Sequence, residues 1–212
     1  MLITKGCGDR TLKRQVYELV LSDILEGKLV PERPFTEKEL SEKYRISKSP
    51  IREALIELCS EGVLRSIPRY GYEVLRIIEK DVEDAKRARI IIECGALSDC
   101  FDTIDQDDVQ HLRSIIEDSG DDGLFIHWDR NSRFHLELMK CSGNDALFRM
   151  LEIQLRLMRR AYAQFQFSRT RKLRFKGEAR SHHIIIDAIE SKDKERAVQS
   201  LRDDIDSFEI VS

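Results

Sequence analysis

From Thr11 to Glu26 apolar residues recur three and four positions apart, at Leu12, Val16, Leu19, Val20, Ile24 and Leu25, and the run stops at Gly27. That period predicts a helix closed by a glycine cap. Beyond Leu29-Val30-Pro31, Thr36 precedes Glu39 by three residues, the spacing of a capping box, and opens a second helix through Tyr44 with Leu40 and Tyr44 inward. Ser47 is the expected cap of a third helix, and Pro50 falls in its first turn, where a missing N–H costs little. Ile51, Ala54, Leu55 and Leu58 make one buried stripe there. Gly62 breaks the helix, and Val63 to Ile67 and Tyr72 to Leu75 read as strands joined through Pro68-Arg69-Tyr70-Gly71. From Glu79 onward strand signals vanish. Helical patterns cover about 80 to 101, 106 to 118, 122 to 141, 144 to 167, 171 to 190 and 193 to 209, separated by short breakers such as Ser142-Gly143-Asn144 and Ser191-Lys192.

Three short helices followed by a basic hairpin are the order of a winged helix-turn-helix, whose common use is to lay its last helix in the DNA major groove. The expected fold is therefore mostly α. Residues 1–76 form the winged helix-turn-helix, and residues 77–212 form an antiparallel all-α bundle of about six helices for ligand sensing and dimerisation. A chain of 212 residues, 41% hydrophobic and 35% charged, is long enough to give each part a core.

Charge sharpens this reading by its placement. The formal net charge is -3, but residues 1–76 hold 14 Lys+Arg against 12 Asp+Glu, net +2, which leaves 22 minus 27, net -5, for the remainder. Lys43, Arg45, Lys48 and Arg52 come with no acid between them, a local patch of the kind that phosphates attract. Lys48, Ser49 and Arg52 fall on the outer face of the third helix near its N-terminus, with Ser47 just ahead. Arg52 has the planar fork that fits guanine O6 and N7 together, while Arg69, with Tyr70 and Gly71 at the hairpin tip, is the expected wing contact.

The segment SKSPIREALIELCSEGVL and the hairpin after it resemble the DNA-binding domain of the GntR family of bacterial transcription regulators, over about Leu12 to Leu75. By that resemblance Lys38, Lys48, Arg52 and the wing from Arg69 to Gly71 stand at DNA-contacting positions. Lys38 and Lys48 replace arginines common in the family, which favours phosphate contact over base reading there.

In the second part, Asn131 lies four residues before His135 on one helical face. His182 and Asp204 lie ten and twelve residues either side of Lys192, level across an antiparallel turn (192 minus 182; 204 minus 192). Spacing alone leaves open a metal site and plainly packed core histidines. The stretch 79–207, through Arg89-Ile-Ile-Ile-Glu93, Phe134-His135, Ser142-Gly143-Asn144 and His182 to Ala188, resembles the FCD effector domain of FadR-type GntR regulators, whose metal-binding members carry an aspartate and three histidines. The resemblance implies a ligand set of Asn131, His135, His182 and Asp204, with Asn131 in place of an aspartate and Asp204 in place of a histidine. That set suits a divalent ion of the zinc, nickel or manganese class. His183 points about 100° away from His182 round the helix, and His111 and His127 read as surface or packing residues. Arg89 either holds an effector carboxylate or pairs with Glu93 one turn on.

Other features change less. No apolar run of about 18 residues and no signal-peptide pattern appear, so a cytoplasmic protein without membrane partners is expected. Five cysteines without Cys-x-x-Cys spacing read as reduced thiols. The run from Arg156 to Arg180, nine Lys+Arg against the single acid Glu178, reads as a solvated face, and Phe125 and Trp128 as core or dimer contact. The function expected is that of a homodimeric regulator binding double-stranded operator DNA under control of a small-molecule carboxylate effector, and not an enzyme. A metal-dependent hydrolase built on His135 and His182, or a non-sensing architectural DNA binder, are the alternatives.

Overall fold

A computed structural model of the chain describes residues 11–117, 126–168, 172–175 and 180–211. Cys7, Phe125 and the parts of the expected helices at 118, 122–125, 171 and 176–179 lie outside the described residues. The chain divides into two units, Met1–Ile77 and Ile78–Ser212.

The first unit runs α1 (Leu12–Leu25), α2 (Glu37–Tyr44), α3 (Lys48–Ser60), β1 (Leu64–Ile67) and β2 (Gly71–Val74). Thr36 Oγ1 accepts from the Glu39 N–H at 3.2 Å while Glu39 accepts from the Thr36 N–H at 2.7 Å, so the capping box forms in full. Arg45, in the left-handed region, turns the chain into α3. Ser47 precedes α3 as expected, but its side chain makes no capping bond. Such a cap accepts from the second or third helical N–H, and here the third helical residue is Pro50, which has none. Val16, Val20, Leu40, Ile51, Leu55, Leu58 and Leu64 fill the core between these elements. Buried Asp23 accepts from Lys43 Nζ at 2.7 Å and from the Tyr44 hydroxyl, tying α1 to the end of α2.

β1 and β2 pair antiparallel from Leu64↔Val74 to Ile67↔Gly71, forming the wing. Its tip is closed by the Tyr70 N–H donating to the Ile67 carbonyl at 3.0 Å, with Pro68 and Arg69 between them. Arg69 takes φ +69°, a position that favours glycine or asparagine. At the wing's base Phe35 and Tyr72 exchange two backbone hydrogen bonds, 2.9 and 2.8 Å. Gly71 sits beside this bridge at φ +109°, and a Cβ there would meet the Phe35 carbonyl oxygen at 2.3 Å. Gly71→Ala is therefore expected to cost about 2 kcal/mol of stability from strained backbone alone. Differential scanning calorimetry checks this, and an unchanged transition would contradict it.

The second unit contains α4 (Glu79–Cys100), a short 3-10 turn (Phe101–Thr103), α5 (Gln106–Glu117), α6 (Ile126–Lys140), α7 (Asp145–Gln166), β3 (Lys172–Phe175), α8 (Arg180–Glu190), α9 (Lys194–Asp206) and β4 (Phe208–Val211). Among the described residues the helices are the expected six, packed around Leu97, Phe101, Leu112, Ile115, Phe134, Ile185, Ile186 and Leu201, with Leu151 and Leu155 of α7 against Ala96 and Met139. Two expectations fail: Lys172–Phe175, placed in the helix at 171 to 190, is a strand, and the helix placed at 193 to 209 ends at Asp206, with Phe208–Val211 forming the strand that pairs antiparallel with Lys172–Phe175, Lys172↔Val211 to Phe175↔Phe208. Lys172–Phe175 alternates polar and apolar residues with period two, Phe208–Ile210 does so for three residues, and each strand finds its ladder only in a partner distant in sequence. Trp128 is buried, stacked on Tyr162 at 5.9 Å and edge-on to Phe208 at 5.4 Å, so it belongs to the core.

Candidate functional site

Two constellations carry the chemistry, one in each unit. In the first, the outer face of α3 presents Ser47, Lys48, Ser49 and Arg52, all exposed, and Lys38 projects from α2 with a loose pair to Glu42 at 3.8 Å. Ser49 Oγ donates to Glu53 at 3.2 Å. At the wing tip Arg69 and Tyr70 are exposed, Tyr70 with 71% of its surface open. Arg52 departs from the expectation of a free fork. Its Nε and Nη2 donate to the two carboxylate oxygens of Glu37, both at 2.9 Å, and the Tyr72 hydroxyl donates to the same carboxylate at 3.3 Å. The reason is geometric: Glu37 is the first residue of α2, and the helix-turn-helix brings that turn beside the second turn of α3. Those Arg52 hydrogen bonds hold the Glu37 carboxyl below the ordinary carboxylate range.

The second constellation is buried. One donor atom from each of His135 (α6), His182 (α8) and Asp204 (α9) lies within 4.8 Å of the other two. His135 Nε2 stands 3.1 Å from Asp204 Oδ2, and His182 Nε2 stands 3.7 Å from the same oxygen. Phe134 stacks on His182 with ring centroids 4.0 Å apart and fixes its plane. Asn131, one turn ahead of His135, is buried as well. His135 Nδ1 lies 2.6 Å from Glu93 Oε2, and Arg89 Nε donates to the other Glu93 oxygen at 2.7 Å. Arg89 thus makes the pair with Glu93, yet its Nη1 and Nη2 are buried without a hydrogen-bond partner.

The electrostatics follow from this wiring. Burial pushes the Glu93 carboxyl up, but Arg89 and His135 outweigh it and hold it below its ordinary value. Burial also opposes charge on His135, and Glu93 with Asp204 overcomes it, so the imidazole is raised. His182 goes the other way, lowered mainly by burial. Asp204 stays ionised despite burial because both imidazoles face it.

Whether a cation fits can be judged from the unmet polar atoms. Both side-chain polar atoms of Asn131, Nε2 of His135 and of His182, and both Asp204 oxygens are buried with no hydrogen-bond partner. Such groups cost on the order of 1–3 kcal/mol each when left unmet. A neutral His135 that donates Nδ1–H to Glu93 would turn a lone pair toward an Asp204 oxygen 3.1 Å away, so either a second proton on the ring or a cation between the two is needed there. The donor set of two imidazoles, a carboxylate and an amide oxygen fits a divalent ion.

The sequence named every member of this cluster except for the role of Glu93, visible there only as a possible partner of Arg89. It also missed Glu37, for which no local pattern speaks. His111 is exposed, 3.3 Å from Glu137, in keeping with a surface role; the side chain of His127 lies outside the described residues.

A winged helix-turn-helix joined to a helical unit with a buried polar cluster defines a DNA-binding regulator with an attached sensing domain. Residues 12–74 match the bacterial regulatory proteins of the gntR family, and residues 84–207 match the FCD domain. The chain belongs to the GntR family of transcription regulators, with an FCD effector domain. It is 27% identical over 198 residues to the HTH-type transcriptional regulator YdhC of Bacillus subtilis, covering 87% of this chain and 84% of that one. To a regulator in an unstable DNA locus of Streptomyces ambofaciens it is 31% identical over 137 residues, 64% of this chain, and it spans 58% of that relative's length. The solved structure of Escherichia coli McbR/YncC matches with TM-score 0.70 over 93% of this chain and 95% of that one, at 21% identity, a likeness of fold. Domains and relatives are regulators of transcription and not enzymes, which sets the hydrolase aside. Among the described residues no helix is long and apolar enough to cross a membrane.

Proposed function

We propose that the protein binds operator DNA as a homodimer in the cytoplasm and that a small carboxylate, held with a divalent cation in the FCD domain, controls that binding. The observation that carries the reading is the set of unmet buried groups on Arg89, Asn131, His135, His182 and Asp204. Asn131, His135, His182 and Asp204 would hold the ion, which when bound supplies a positive centre for a carboxylate oxygen. Arg89 offers two terminal nitrogens for the same carboxylate.

A charge count supports the class of effector. With neutral imidazoles, the buried side chains of Arg89, Glu93 and Asp204 sum to +1-1-1 = -1. A divalent ion brings this to +1 and one carboxylate returns it to zero, whereas buried net charge is costly. A protonated His135 neutralises the same site without either. An architectural DNA binder gives these residues no purpose.

On the DNA side, Arg52 reads a base, Lys38 and Lys48 meet phosphates, Ser47 and Ser49 add hydroxyls at the start of α3, and Arg69 to Gly71 place the wing against the backbone or minor groove. Two linked heads require both half-sites at once, so a change in head spacing alters affinity. Fluorescence anisotropy on fragments of the source genome tests this. Discrete fragments are expected to bind with a steep salt dependence, and Arg52→Ala is expected to lower the preference for them over random duplex by about tenfold or more. Small mono- and dicarboxylates added with zinc or manganese should shift the binding; if none does, the control by a carboxylate is wrong.

A further inference from the structure

We infer that Glu37 is a specificity-determining residue: its carboxylate holds Arg52 so that the opposite edge of the guanidinium is presented to guanine. The inference rests on the reading of Arg52 as a base contact given above.

A guanidinium has two edges that can each meet a pair of acceptors, one formed by Nε and Nη2, the other by Nη1 and Nη2. Glu37 takes the first edge with two bonds of 2.9 Å. The second edge keeps one N–H from each terminal nitrogen, side by side, which is the spacing of O6 and N7 on the major-groove edge of guanine. The carboxylate is therefore no competitor for the base; it occupies the side of the fork that guanine does not need.

The support is stiff where it must be. Glu37 lies at the first helical position of α2, between Thr36 and Glu39, whose reciprocal capping bonds fix the backbone there. Its side chain is 19% exposed while that of Arg52 is 61% exposed, so the anchored end is the acid and the presented end is the arginine. The Tyr72 hydroxyl holds the same carboxylate from the wing. Without Glu37, a long side chain on an exposed helix face samples many rotamers, most of which meet phosphate rather than a base. A carboxylate at this place also offsets the arginine's charge, so Arg52 contributes little to sequence-independent attraction.

Selection from randomised duplexes with the full-length protein and its Glu37→Gln and Arg52→Ala variants decides the matter. Arg52→Ala is expected to erase a guanine preference at one position of each half-site. Glu37→Gln is expected to weaken it about tenfold at that position with the other positions kept. On random-sequence duplex, Glu37→Gln should also steepen the dependence of log affinity on log salt by about 0.9, the increment for one further phosphate neutralised. If Glu37→Gln keeps the guanine that Arg52→Ala loses, the inference is overturned while the reading of Arg52 stands. If Arg52→Ala keeps every preference, the reading of Arg52 falls and takes the inference with it. Should Glu37→Gln lose all preferences through misfolding, Tyr72→Phe decides: a partial loss confined to the same position supports the inference, and an unchanged profile overturns it.

Discussion

Glu93→Gln is expected to destabilise the helical unit by about 3–5 kcal/mol, the cost of leaving a buried charge without its partner. The partner is Arg89, whose side chain is 0% exposed and whose Nε donates to Glu93 at 2.7 Å. A neutral amide keeps the shape and one acceptor, but it removes the charge that compensates the guanidinium and the acceptor that orients His135. Urea unfolding followed through Trp128, the single tryptophan and a core residue of the same unit, reports the loss directly. Replacing both partners by apolar residues, as in Arg89→Met with Glu93→Leu, is expected to recover most of it, because neither charge is then left alone. A loss below about 1 kcal/mol in Glu93→Gln would place Arg89 in contact with water or another acid.

What the sequence made legible divides along the range of the interactions. Thr36 and Glu39 are three residues apart, so their reciprocal cap can be read directly, and it forms. The helical stripes of α3 and the six helices of the second unit were likewise visible, since a period of 3.6 is a local property. Glu37 reaches Arg52 across fifteen residues and Glu93 reaches His135 across forty-two, distances at which no repeat constrains which side chains meet. Ser47 misled for a different reason: its own type favours a cap, but Pro50 removes one of the two N–H groups that could meet it, and no capping bond forms. Lys172–Phe175 misled because its helical neighbours set the expectation, whereas Phe208–Val211 supplies the ladder. Arg89 was legible as a choice between two partners. The structure gives it one of them and leaves the nitrogens needed for the other unmet. His135 was legible through Asn131 one turn before it, while His182 and Asp204 were placed on facing helices by counting from Lys192. Their approach to one another follows from that antiparallel turn.

His135→Ala is expected to abolish uptake of a divalent ion by the FCD domain. The wild-type chain, freed of metal by a chelator and then loaded with zinc, nickel or manganese, should retain about one ion per chain by elemental analysis, the number one four-donor cluster holds. An ion that binds only the folded state stabilises it by about 2.7 kcal/mol at a concentration roughly a hundred times its dissociation constant, so the unfolding midpoint should rise with added metal. In His135→Ala the midpoint should not respond, because the imidazole that joins the Glu93 carboxylate to the Asp204 oxygen is gone. Glu93→Gln separates the supporting partner from the ligand itself. Such partners orient a metal-bound imidazole and typically change affinity by about 10–100-fold, so the response should persist at higher metal concentration. Retention of the ion by His135→Ala, or an unfolding midpoint of the wild type indifferent to all three metals, would leave a proton on His135 as the cation that satisfies this cluster and would remove metal from the sensing mechanism.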